Sequence, residues 1–212
     1  MDGFAKKTLR TSRGLDYTYW IRRSADDKPA LLLHHGFPDD HEVWIPVIPY
    51  LIDTGHTIIV PDLLGYGQTS KPSDAQLYNS GAMAKDMMEI LDNENQPYVI
   101  SVGHDWGSTL AQRLPLFHPD GVVGLVILNV AYRPPAEMNA EKANALLVQN
   151  TGLPRLAYQE FFVSSNAREL LESNLESAFH ALHGADEGTK NFMENILCHR
   201  VSRDAETNSP RH

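Results

Sequence analysis

The sequence predicts an α/β fold, a mostly parallel sheet with helices on both faces, and three observations carry that expectation. Short apolar runs at residues 30–34, 57–61, 98–102 and 122–128 read as buried strands. Segments of helical spacing lie between them, and turns containing glycine or proline punctuate the chain. In sheets of this kind ligands bind beyond the carboxyl ends of the strands. Two loops fall there: Gly36-Phe37-Pro38 and the turn centred on Asp105.

Taken in order, residues 8–12 and 17–22 alternate as a hairpin, with Arg13 and Gly14 in the turn. Residues 30–34 form the first buried strand. A helix is expected over 44–53, with Trp44, Val47, Ile48 and Leu51 on one face. Residues 57–61 form the next strand, after which Gly65, Gly67 and Pro72 break regular structure. Residues 83–92 return to helical spacing and 98–102 to a strand. A helix should start after Gly107, and 122–128 makes one more strand. Pro115 is expected in the second turn of that helix, where an interior proline costs about 3 kcal/mol and kinks the axis. From 137 to 199 the pattern is helical, including 167–182 with Leu170, Leu171, Leu175 and Phe179 on one stripe. The expected organisation is a core over 1–133, a helical excursion over 134–200 and a polar, disordered tail over 201–212.

A chain of 212 residues with 42% hydrophobic content can bury one sizeable core. A net charge of −9 argues against nucleic acid as a partner, because such binding rests on basic residues meeting phosphates. No stretch approaches the roughly 20 apolar residues of a bilayer span, so no membrane partner is expected. The first 14 residues carry positive charge with no apolar run behind it, unlike a signal peptide. Cys198 is the single cysteine, which rules out an internal disulfide and fits a reducing, cytoplasmic setting.

Gly103-His104-Asp105-Trp106-Gly107 follows a strand and precedes a helix, the setting of a nucleophile elbow. There the central residue sits in a strained conformation, and small residues two before and two after let strand and helix approach. The helix that follows directs its free N–H groups at the site and favours negative charge there. The plain alternative is that Asp105 is a helix N-cap. His34-His35-Gly36-Phe37-Pro38 closes the earlier strand in a tight turn that can aim the Phe37 N–H at the point faced by the Trp106 N–H. Two such donors make an oxyanion hole, each worth about 3–4 kcal/mol to an acyl-type transition state. His35 itself is expected to hold loop hydrogen bonds.

These elements resemble a family. His35-Gly36-Phe37-Pro38, Asp62-Leu63-Leu64-Gly65-Tyr66-Gly67-Gln68-Thr69-Ser70 and Gly103-His104-Asp105-Trp106-Gly107 occur in the order and spacing of the epoxide hydrolases of the α/β-hydrolase superfamily. The resemblance extends over about residues 15–200. It implies an α/β-hydrolase fold, here the N-terminal half of the core sheet with part of a helical cap. It also implies a small-molecule epoxide as substrate, opened by Asp105 to an alkyl-enzyme ester. Water activated by a histidine then releases a diol, with Phe37 and Trp106 lining the substrate site and holding the oxyanion. No cofactor and no metal is implied. The segment 156–162 resembles the cap segment that carries a tyrosine hydrogen-bonded to the epoxide oxygen, which makes Tyr158 the candidate; packing within the cap is its plain alternative.

Dehalogenases of the same superfamily also use an elbow aspartate. Haloalkane dehalogenases usually place Asn after the His-Gly pair, where this chain has Phe37, and fluoroacetate dehalogenases place Arg after the nucleophile, where it has Trp106. Serine hydrolysis is disfavoured by Asp105 at the elbow centre. The family's acid and histidine follow the cap, and nothing in this sequence resembles the strands that carry them. His180, His183, His199 and His212 stand outside such a context. The expectation is therefore a C-terminally truncated member with compromised turnover, or a non-catalytic fragment. Its sheet edge at 122–128 is expected to be uncovered and open to self-association.

Overall fold

In the computed structural model, which describes residues 1–135, 140–152 and 156–183, the chain divides into two compact units, 1–134 and 135–212. The first is built on a hairpin. Strand β1 (Ala5–Arg10) pairs antiparallel with β2 (Asp16–Arg22), and Gly14, at φ 74°, supplies the left-handed turn residue between them. The fully buried run β3 (Ala30–His34) and the equally buried β4 (Ile58–Pro61) follow, then β5 (Val99–His104) and β6 (Val122–Leu128).

The sheet order is β1-β2-β4-β3-β5-β6. β4 meets β2 antiparallel, while the β3–β4, β3–β5 and β5–β6 pairs are parallel, so the sheet is mixed with a parallel body. Alternation along the strands splits the core in two. Leu32, Ile59, Tyr17, Tyr19 and Val99 face helix α2 (Ser80–Asn93) and the helices that follow β5; Leu31, Leu33, Ile58 and Val60 face Trp44 and Ile48.

Helix boundaries differ from the periodicity in three places, each with a local cause. Residues 44–53 do not form one helix: a 3-10 turn, His41–Trp44, is separated from α1 (Ile48–Ile52), and Pro46 and Pro49 lie within the expected span. Val47 is exposed there, off the buried face of Trp44 and Ile48. After the elbow, α3 (Trp106–Ala111) ends before a second helix, α4 (Leu114–Phe117), starts. Pro115 therefore sits in the first turn of α4, where its missing N–H has no intrahelical partner to lose, and it does not kink a helix interior. In the second unit, α5 (Ala140–Thr151) and α6 (Ala157–Phe162) are followed by α7 (Ala167–Ser173) and α8 (Leu175–His183). Asn174 breaks the last pair at φ −139°, and Leu175 and Phe179 are exposed, so they do not continue the half-buried stripe of Leu170 and Leu171.

Two buried carboxylates bind the hairpin to α2. Asp86 accepts from the Tyr17 hydroxyl at 2.9 Å and pairs with Arg13 at 2.5 Å. Burial pushes the Asp86 carboxyl above its ordinary range, against the hydrogen bonds and charge of Tyr17 and Arg13. Glu94, at the end of α2, accepts from Tyr19, from Lys7 at 2.9 Å and from Arg23. Burial would raise the Glu94 carboxyl, but these donors and the two cations outweigh it and leave it lowered.

Among the described residues no helix is long and apolar enough to cross a membrane. His199, His212, Cys198 and the tail 201–212 lie outside the described residues.

Candidate active site

At the end of β5 the chain turns sharply into α3 through Asp105, at φ 53° and ψ −127°. A non-glycine residue in this region is strained and persists only where its surroundings fix it. Those surroundings are backbone. A Cβ on Gly103 would come within 2.5 Å of Ser108 Cα, and one on Gly107 would overlap the carbonyls of His34 and His35. Strand, turn and helix are thus in direct main-chain contact, which only glycine allows at these two positions. The Ser108 hydroxyl donates to the Gly103 carbonyl at 2.7 Å and accepts from the Leu128 N–H at 3.3 Å, tying α3 to both strands beneath it.

Asp105 stands at the N-cap position of α3, yet its side chain makes no capping hydrogen bond. Its Oδ1 instead accepts from the Phe37 N–H at 3.0 Å. The turn bearing Phe37 approaches closely because residue 36 is glycine: a Cβ there would overlap Asp105 Cβ and lie 2.8 Å from the His104 carbonyl. Trp106 is the first residue of α3, half-buried beside Asp105.

His35 fixes the loops around this turn. Its Nε2 accepts from the Leu63 N–H at 2.9 Å, so the ring proton resides on Nδ1 and is donated to the Gly36 carbonyl at 3.0 Å. Burial lowers the His35 pKa and keeps the ring neutral. His34 is fully buried and held down to about 3 by desolvation and by the neighbouring His35; its Nε2 meets the Ser101 hydroxyl at 3.2 Å.

Asp62, which follows β4 and opens the second motif quoted above, makes a second anchor, a role the sequence reading did not assign to it. Its Oδ1 accepts from His41 Nδ1 at 2.7 Å and its Oδ2 from the Gln68 N–H at 2.9 Å, while its carbonyl accepts from the Thr69 hydroxyl. Gly67 is required beside it, because a Cβ at residue 67 would overlap the carboxylate. A polar residue at the end of a buried strand, followed by two nearby glycines, was the available signal. Asp40, His41 and Asp62 bring potential ligand atoms within 4.8 Å of one another. Their geometry is already accounted for by hydrogen bonding: Asp40 caps the 3-10 turn through the Glu42 N–H, and Asp62 is committed to His41 and Gln68.

The structure thus brings Phe37 and Asp105 together, with Trp106 adjoining. Tyr158 belongs to the second unit, half-buried on α6, with its ring edge-on to Phe162 at 6.0 Å between centroids. His180 is exposed on α8, which also includes His183.

Comparison with known proteins gives three findings. Residues 29–196 match the family model described as the alpha/beta hydrolase fold. Bifunctional epoxide hydrolase 2 of Mus musculus is 30% identical over 162 residues, covering 76% of this chain and 28% of that protein; epoxide hydrolase A of Mycobacterium tuberculosis is 34% identical over 115 residues, 54% of this chain and 36% of that one. The crystal structure of epoxide hydrolase A from Mycobacterium thermoresistibile superposes with a TM-score of 0.73 at 24% identity, a likeness of fold, over 90% of this chain and 60% of that chain. This chain therefore spans between about a quarter and a half of the relatives' length.

Proposed function

The chain belongs to the alpha/beta hydrolase fold family and is epoxide-hydrolase-like within it, and from that premise we propose that Asp105 is the nucleophile that opens an epoxide. One observation carries the reading: a strained aspartate at a strand–helix turn declines its capping bond and accepts from a backbone N–H of the facing loop. The bond leaves Oδ2 as the attacking atom. Oδ2 forms a bond to an epoxide carbon as that carbon's bond to oxygen breaks, and the alkoxide takes a proton from a phenol, for which Tyr158 is the candidate. Oδ1 then becomes the carbonyl oxygen of the ester, already facing the Phe37 N–H. When water adds to that carbonyl the charge falls on Oδ1, and the N–H groups of Phe37 and Trp106 are the donors assigned to it. Collapse breaks the bond to Oδ2, giving the diol and the free carboxylate.

Hydrolysis of the ester needs a base to take the proton of water, and we assign no histidine of this chain to that role. The proposal for the 212-residue chain is therefore alkylation with slow or absent release. Intact-mass measurement after incubation with styrene oxide tests it. One adduct of the epoxide's mass is expected, mapped to the peptide containing Asp105 and lost in Asp105→Ala. No adduct, or an adduct that survives the substitution, overturns the assignment. Multiple turnovers to diol would show that the chain contains a base. We also place the chain in the cytoplasm, a reducing setting that suits its single cysteine.

A further inference from the structure

A single peptide group stands between the His35 ring and the Asp105 carboxylate. The Gly36 carbonyl and the Phe37 N–H belong to one planar trans unit, so they point in opposite directions. The carbonyl end accepts from His35 Nδ1 at 3.0 Å, and the N–H end donates to Asp105 Oδ1 at 3.0 Å. Whatever holds one end aims the other. The unit needs holding, because a peptide that follows glycine turns with little steric resistance. Turned over, it would set the Gly36 carbonyl oxygen against the carboxylate. The His35 ring that opposes this is itself fixed on every side. It is fully buried, and its Nε2 accepts from the Leu63 N–H at 2.9 Å, which leaves the proton on Nδ1. Tyr66 meets it edge-on at 4.9 Å between centroids. The His35 carbonyl abuts Gly107, where a Cβ would come within 2.2 Å of it, so the backbone bearing the ring is seated against α3.

We propose that His35 is a positioning residue: its ring orients the Gly36–Phe37 peptide so that the Phe37 N–H faces Asp105. The effect on reaction rate rests on the reading of Asp105 as the nucleophile; the orientation of the peptide rests on the hydrogen bonds alone. The two ring nitrogens have separate tasks. Nδ1 holds the donor peptide, and Nε2 holds the loop at Leu63. One line of contacts thereby joins the three sequence motifs, from Leu63 through His35 and the Gly36–Phe37 peptide to Asp105. Successive hydrogen bonds in such a line polarise one another, which strengthens the last donor.

Two substitutions separate these tasks. In His35→Asn the new amide lies where Nδ1 was, able to donate to the Gly36 carbonyl but too short for Leu63. In His35→Gln it lies where Nε2 was, able to accept from Leu63 but not to hold Gly36. Amide hydrogen exchange read by NMR on the full chain makes the first comparison. His35→Gln should speed exchange of the Phe37 amide at least about tenfold and leave the Leu63 amide protected, and His35→Asn should do the reverse. Alkylation by styrene oxide, followed by intact mass, makes the second. The maximal rate should fall at least about tenfold in His35→Gln with the half-saturating concentration unchanged, and return to within about threefold of wild type in His35→Asn. Each variant carries its own reference amide, so one that folds is sufficient. A ring that only fills space would loosen both amides together in either variant, and that result overturns the proposal. So does a wild-type alkylation rate in His35→Gln. A wild-type chain that forms no adduct refutes Asp105 as the nucleophile instead, and the two exchange rates then decide the orientation of the peptide by themselves.

Discussion

The Phe37 N–H donates to Oδ1 of Asp105 at 3.0 Å, joining two turns 68 residues apart in sequence. The contact depends on three backbones meeting: the loop after β3, the end of β5 and the start of α3. Glycine at 36, 103 and 107 is what lets them touch.

A methyl group at Gly36 has no space, since it would overlap Asp105 Cβ and crowd the His104 carbonyl, which cannot swing aside. Gly36→Ala is expected to lower stability by about 1–3 kcal/mol. It should also slow adduct formation with styrene oxide at least about tenfold, because the Phe37 N–H is pushed away from Oδ1. Urea unfolding and a mass-spectrometric time course measure the two effects. Wild-type stability together with wild-type labelling would show that the close approach is dispensable.

The buried His34 makes stability depend on pH with a definite sign. Its pKa falls from the ordinary 6.5 to about 3 in the folded chain, so between those values the unfolded chain binds a proton that the folded chain does not. The stabilisation is fully present above the unfolded value and is lost as pH falls through the window. At one proton the slope is about 1.4 kcal/mol per pH unit, so some 2 kcal/mol disappears by about pH 5. In His34→Gln that share of the slope should vanish. Urea titrations of both proteins at neutral pH and near pH 5 make the comparison, and equal slopes would refute the assignment.

Glu94 is the acceptor on which Tyr19, Asn93, Lys7 and Arg23 converge. Removing it leaves the buried Tyr19 hydroxyl without its carboxylate, at a cost of about 1–3 kcal/mol. Glu94→Ala should therefore unfold at lower urea. The cations are half-exposed and can rehydrate, so Lys7→Ala should cost less than Glu94→Ala.

Pro115 lies in the first turn of α4. Pro115→Ala is accordingly expected to change stability by no more than about 0.5 kcal/mol, where a proline inside a continuous helix would cost about 3 kcal/mol. Thermal denaturation distinguishes the two, and a large stabilisation by alanine would argue for a continuous helix beyond the elbow.

What the sequence determined by itself was local. The apolar runs at 30–34 and 122–128 are strands at those positions, because five to seven residues between turn signals suit a buried strand and are short for a buried helix. The glycines around Asp105 announce a tight strand–helix turn, since the requirement for a missing Cβ is written at fixed offsets from it. Tertiary structure decided the rest. Spacing alone left Asp105 divided between a cap and a free carboxylate; the choice depended on a loop brought across from β3, a non-local contact invisible to any window of residues. The same limit hid the split of 44–53 at its prolines and the break at Asn174, where apolar residues in helical register proved exposed. It also hid the anchoring roles of Asp62 and Glu94, whose polar side chains are buried because partners from distant strands and loops surround them. Periodicity records which residues share a face; what covers that face is settled only when the chain closes on itself.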